Sequence, residues 1–249
     1  MLVLAGSSGR IDEDRARVFA TVGCIAESIR WLGGPGQHAG PWEIPLETFL
    51  RRVDHLASDC DRVWVVGTSF GSEAALLTGS HSGDIAGVIA FAPSDVVWAG
   101  YDEQRRETSH WTLGHAPVPY LPFDWDGYVK ETPARFRPLY ERSRATFSDG
   151  IAAASIPVER IQRLVLVAGG DDQVWPSVPH AENIRSRRAS VGLATALIVA
   201  TRAGHRTILP GERTVTGGAP MLRGGTEAED KALGARAWNT IETALRSAR

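Results

Sequence analysis

"DRVWVVGTSFGSEAALL", residues 61–77, joins two runs of opposite character. Residues 63–66 are a continuous apolar, β-branched and aromatic run that stops at Gly67. Residues 73–77 form helices well and begin just after Gly71. Between them lies Gly-Thr-Ser-Phe-Gly, so a single serine, Ser69, stands between two glycines where a strand passes into a helix. A strand-to-helix turn tight enough to lift a serine above a sheet needs small residues on both sides, and the G-x-S-x-G elbow supplies them. Short motifs of this kind arise by chance in a glycine-rich chain, and a tight turn with a capping serine is the plainer reading. What argues for the elbow is the strand before it and the helix after it.

The same alternation runs outward in both directions. Nearly continuous apolar runs occur at 2–6, 24–29, 87–93, 164–170 and 195–200 as well as at 63–67, the pattern of strands covered on both faces. Helix-like segments at 12–22, 45–58, 72–79, 176–189 and 227–248 fall between them. The first has acids in its opening turn, where the helix dipole favours them, and the second opens on Pro45. Strand and helix in alternation predict one α/β domain with a doubly wound, mostly parallel sheet of about six strands. Residues 98–155 break the rhythm. They hold no convincing strand, are rich in aromatic residues and proline, and read as a helical or irregular lid inserted in the domain. A glycine-rich stretch, 210–226, reads as a mobile loop.

A serine hydroxyl attacks only with a base in reach and with donors for the oxyanion that forms. If Ser69 is a nucleophile, an acid and then a histidine must follow, each in a loop after a later strand. Asp171 and Asp172 follow the run at 164–170, and His205 follows the run at 195–200. Either acid meets the requirement. One oxyanion donor is expected from the amide of Phe70 at the start of the following helix. The other is expected from the loop after the first strand, "GSSGR", where the amide of Gly9 or Arg10 is in position. His110 and His115 fall in the lid, where packing is the plainer role and substrate contact the other. Trp98, Trp111, Trp125 and Trp175 are the expected apolar lining of an acyl pocket.

The 249 residues allow one large domain, with 43% hydrophobic and 22% charged residues. A net charge of −2 gives no electrostatic reason to bind nucleic acid or anionic lipid. The two cysteines form no framework, so a reduced, cytoplasmic protein is expected. No apolar run approaches the length of a membrane span, and no His/Asp/Glu/Cys set has metal-ligand spacing. Neither cofactor nor metal is expected, and a homo-oligomer is left open.

Several stretches resemble one known family, the C-terminal domain of the acyl-CoA thioesterases and bile acid-CoA:amino acid N-acyltransferases, within the α/β-hydrolase superfamily. They are "GSSGRIDEDRA" (6–16), "GTSFGSEAAL" (67–76), "IAGVIAFAPSDVVWAG" (85–100), "IPVERI" (156–161), "AGGDDQVWPS" (168–177) and "AGHR" (203–206). The resemblance implies a Ser/Cys-Asp-His triad on Ser69, Asp172 and His205. Val-Trp-Pro after Asp172 is similar to the turn that follows the acid in many α/β-hydrolases, which favours it over Asp171. In that family serine goes with hydrolysis and cysteine with transfer to amino acids. Set against a standard α/β-hydrolase, the chain starts at what would be the third strand. The expectation is a serine hydrolase acting on a small-molecule acyl thioester or ester. The alternatives are an acyltransferase, amidase or peptidase with the same triad, and a catalytically silent binding module.

Overall fold

The protein is described by a computed structural model covering residues 1–215 and 219–247. In chain order the first half comprises β1 (Leu2–Leu4), α1 (Glu13–Ala20), β2 (Glu27–Ser28), β3 (Ile44–Pro45), α2 (Glu47–Asp59), β4 (Val63–Thr68), α3 (Phe70–His81) and β5 (Ile85–Phe91). Four short strands follow, β6 (Ala99–Tyr101), β7 (Glu107–Ser109), β8 (Trp111–Leu113) and β9 (Ala116–Pro117), then α4 (Arg137–Thr146) and α5 (Ile151–Ala154). The chain ends with β10 (Leu164–Gly169), α6 (Ser177–Ser190), β11 (Ala196–Ala200) and α7 (Glu227–Arg246).

Six strands form one wholly parallel sheet in the order β11-β10-β5-β4-β1-β2. All six are the strands expected from the apolar runs. Their side chains alternate between two cores. Leu2, Leu4, Val63, Val65, Val88, Ala90, Leu164 and Leu166 meet α2, α3 and α6 on one face. Val3, Trp64, Val66, Ile89, Phe91, Val165 and Val167 meet α1 and α7 on the other. Burial on both faces explains why these strands carry continuous apolar runs, since neither face can be left polar.

From β1 the chain first goes outward to β2, then crosses back to β4 and runs through β5, β10 and β11. The direction reverses between β1 and β4. In an open α/β sheet, loops leaving neighbouring strands in opposite senses open a crevice at the C-terminal ends. Gly6 to Ser8 leave β1 there and Ser69 leaves β4 there.

The segment from 98 to 155 differs from the expectation of no strands. It carries β6 paired with β7, and β8 placed between β3 and β9. These strands are two or three residues long, too short to show a period of two in the sequence. Pro45 belongs to β3, opposite Thr112, so α2 starts at Glu47 rather than at the proline. Of the loop expected at 210–226, residues 216–218 lie outside the described residues, as does position 248 of the last expected helix.

The inserted segment is fastened to the domain through a buried carboxylate. Asp95, in the loop after β5, accepts two bonds from Arg144 of α4 at 2.9 and 2.8 Å. It also bonds the His180 ring and, at 3.2 Å, Asn183, both of α6. Burial by itself would raise the Asp95 pKa, but the His180 bond and charge and the Arg144 guanidinium outweigh it and hold the group down to about 2.

Candidate active site

Ser69 occupies the turn between β4 and α3 with φ 58° and ψ −125°. Three glycines make the turn sterically possible. A Cβ on Gly67 would lie 1.9 Å from the Gly71 carbonyl oxygen, and one on Gly71 would lie 2.2 Å from that of Ala5. A Cβ on Gly6 would press on Ser69 Cβ at 3.1 Å. The Ser69 N–H donates to the Phe91 carbonyl at 3.0 Å, tying the elbow to β5. Phe70 is the first residue of α3, so its amide has no acceptor one turn back.

Asp172 and His205 lie in the loops after β10 and β11. His205 Nδ1 bonds Asp172 Oδ2 at 2.8 Å, while Asp172 Oδ1 accepts from the amides of Val174 at 2.9 Å and Trp175 at 3.2 Å. Asp171 turns elsewhere. It accepts from Gln173 Nε2 at 2.6 Å and from the Gly225 amide at 2.7 Å. The His205 backbone donates to the Arg223 carbonyl at 2.9 Å, and the Trp175 ring stands edge-on to the imidazole at 5.7 Å. Ser69 and His205 line one cavity of about 810 Å³. No hydrogen bond joins them among the described residues; such bonds are often long before substrate is bound.

The cavity is lined by aromatic and by charged residues. Tyr101, Phe123, Trp125, Phe136 and Tyr140 of the inserted segment line it together with Phe70 and His110. Arg10, Arg206 and Arg223 line it as well. Burial, together with the nearby Arg223 and Arg10 charges, pushes Arg206 down to about 10 against the opposing pull of Asp230. Asp230 is itself raised by burial and by Asp172, while its bond from the Gly204 amide at 2.7 Å acts the other way.

Not every expected residue reaches the cavity. The Gly9 amide donates to the Gly6 carbonyl at 2.8 Å, which withdraws it from the oxyanion role expected of it. Its φ of 54° and its contact with Leu32 make Gly9 a turn residue. Arg10, Ser7 and Ser8 line the cavity from that loop. Trp125 lines the cavity, but Trp98 and Trp111 do not. Trp98 is fully buried behind Phe123 and Tyr140, its Nε1 donating to Ser94 Oγ at 3.0 Å. Trp111 is buried between Trp31 and Phe49, its Nε1 donating to Glu73 at 2.9 Å. Trp175 is buried beneath Phe70, Tyr140 and His205. A tryptophan's size favours the core as readily as a pocket wall, and composition cannot distinguish the two. Arg206 and Arg223 carried no sequence signal, because only the fold brings them to the cavity that Ser69 lines.

Among the described residues no group of three or more His, Cys, Asp or Glu is arranged to hold a metal ion. No helix among them is long and apolar enough to cross a membrane.

The six-stranded parallel sheet, the elbow after β4 and the bonded acid and histidine after β10 and β11 define an α/β-hydrolase. Residues 47–241 match the model of the family described as BAAT / acyl-CoA thioester hydrolase C terminal. The chain belongs to that family. A sugar hydrolase from Lactococcus lactis is similar in structure, with a TM-score of 0.59 at 14% identity, over 100% of this chain and 90% of that one. A protein described as a dienelactone hydrolase from Klebsiella pneumoniae is similar with a TM-score of 0.54 at 13% identity, over 98% of this chain and 85% of that one. At such identities the likeness is one of fold. No curated protein matches the chain in sequence.

Proposed function

We propose that the protein is a serine hydrolase that cleaves an acyl thioester or ester through an acyl-enzyme on Ser69. The observation that carries this reading is the His205–Asp172 bond of 2.8 Å, delivered to the cavity that Ser69 lines from its elbow. Ser69 Oγ attacks the acyl carbonyl as His205 Nε2 takes its proton. Asp172 keeps the ring in the tautomer with Nδ1 protonated and stabilises the imidazolium that forms. His205 then protonates the leaving thiol or alcohol, and water repeats the sequence on the acyl-enzyme. The Phe70 amide supplies one oxyanion donor. The Ser7 amide, on the loop that Gly6 brings against Ser69, takes the second place in preference to Gly9. Each donor is worth about 10²–10³ in rate.

The leaving group is placed on the side of His205, where Arg206 and Arg223 flank the ring in sequence and through the backbone. Guanidinium groups there favour a leaving group that carries anionic charge. The acyl chain is then placed against the aromatic residues. Reaction with a fluorophosphonate probe tests the reading. The wild type is expected to gain one adduct on the peptide containing Ser69, and Ser69→Ala is expected to gain none and to lose thioester hydrolysis. Equal labelling of the variant would reject Ser69 as nucleophile.

A further inference from the structure

Glu73 is fully buried in the first turn of α3, the helix that Ser69 caps. Its Oε2 meets Trp111 Nε1 at 2.9 Å and His110 Nδ1 at 3.3 Å, and its Oε1 has no hydrogen-bond partner among the described residues. His110 is 2% exposed, yet it lines the cavity, with its ring 4.0 Å from that of Phe70. The one side-chain bond of His110 among the described residues is at Nδ1, which leaves Nε2 for a ligand. A second carboxyl–imidazole pair besides Asp172–His205 therefore reaches the cavity through His110, and the proposed mechanism does not use it.

His110 Nε2 is the ring nitrogen that Glu73 leaves unbonded, so it is the atom through which the ring can bond a ligand in the cavity, as a donor when it carries a proton. Tyr140, which also lines the cavity, is a second donor: burial, then the charges of Glu73 and Asp172, push its hydroxyl well above its ordinary pKa.

We infer that His110, set by Glu73, is a specificity-determining residue that donates from Nε2 to a second oxygen acceptor on the acyl group, a keto or carboxylate oxygen. This rests on the acyl-hydrolase reading above. The acyl side follows from Phe70, whose amide is assigned to the acyl oxyanion and whose ring lies against His110. A site with a buried donor discriminates against an acyl group that leaves the donor unpaired.

The test uses N-acetylcysteamine thioesters of hexanoic, 3-oxohexanoic and glutaric acid, bound calorimetrically to Ser69→Ala protein so that no turnover is needed. The oxygenated thioester, keto or carboxylate, is expected to bind tenfold or more tightly than the hexanoyl thioester. His110→Phe in the same background should bring that ratio to within threefold of one. His110→Gln, which keeps an amide donor, should restore part of it. A ratio near one in the parent, or a ratio that His110→Phe leaves unchanged, would overturn the inference. The relative response of the keto and glutaryl probes identifies which acceptor is used. Glu73→Gln should reduce the ratio while retaining the fold by circular dichroism, and an unchanged ratio there would remove Glu73 from the proposal. Probe labelling of wild-type Ser69 separates the two readings, since it fails only if the nucleophile assignment fails.

Discussion

Ser69 sits in a backbone conformation that costs an L-residue on the order of 1–3 kcal/mol, and its neighbours make that conformation the one available. Gly67, Gly71 and Gly6 have no room for a side chain, while Phe91 and the first turn of α3 take up the backbone groups of Ser69. The paired glycines were legible in the sequence because only glycine permits this approach. The choice between Asp171 and Asp172 was not legible from the residues alone, since two adjacent carboxylates in one loop differ only in the direction each points. Asp172 points inward because the Val174 and Trp175 amides hold one of its oxygens. Asp172→Asn is therefore expected to fold normally and to lower kcat by about 10³–10⁴, measured by steady-state thioester hydrolysis. Activity within tenfold of wild type would exclude the carboxylate from the mechanism.

At the scale of elements, Arg15 of α1 joins the end of β4 to the loop that carries His205. It donates to Thr68 Oγ1 at 2.5 Å, next to Ser69, and to the Thr207 carbonyl at 2.8 Å, two residues after His205. Glu212 neutralises it at 2.6 and 3.0 Å, and the Phe91 ring lies 4.3 Å from the guanidinium carbon. Arg15→Met leaves Glu212 buried without its partner, so a loss of about 3–5 kcal/mol is expected by urea unfolding. The double variant Arg15→Met, Glu212→Gln should recover part of it. The Asp95 cluster predicts a pH response. Its pKa is lower folded than unfolded, so its contribution is fully present above about pH 4 and is lost as pH falls towards about 2. Asp95→Asn is expected to be less stable at pH 7 and to lose less additional stability than wild type on acidification through this window, followed by thermal unfolding. Identical pH slopes would mean that Asp95 titrates alike in both states. Neither device was legible beforehand. Each joins residues far apart in the chain, and buried polar partners leave no periodicity in the sequence.

Over the whole molecule, all six strands of the sheet were legible because burial on both faces demands continuous apolar runs. The reversal between β1 and β4 was legible only in part. The loop after the first strand could be assigned to the site, but the identity of its donor depended on a local turn that claims the Gly9 amide. Charge reads differently at this scale too. A net charge of −2 conceals a cavity whose lining is dense in charge of both signs, Arg10, Arg206 and Arg223 among it beside Glu227 and Asp230. For a thioester with a phosphorylated leaving group, Arg10→Ala and Arg223→Ala are each expected to lower kcat/KM severalfold. Added salt should weaken the wild type in the same direction. An uncharged leaving group should show neither effect, and equal losses on both substrates would locate the arginines outside leaving-group recognition.

Ser69 caps the first turn of α3 and Glu73 lies within that turn. The attacking oxygen and the anchor of His110 therefore move as one rigid body, and a tilt that retuned one would misplace the other. Selection for a new acyl group has little freedom within that helix. Adaptation would have to proceed outside it, at the junction of β7 and β8 that bears His110.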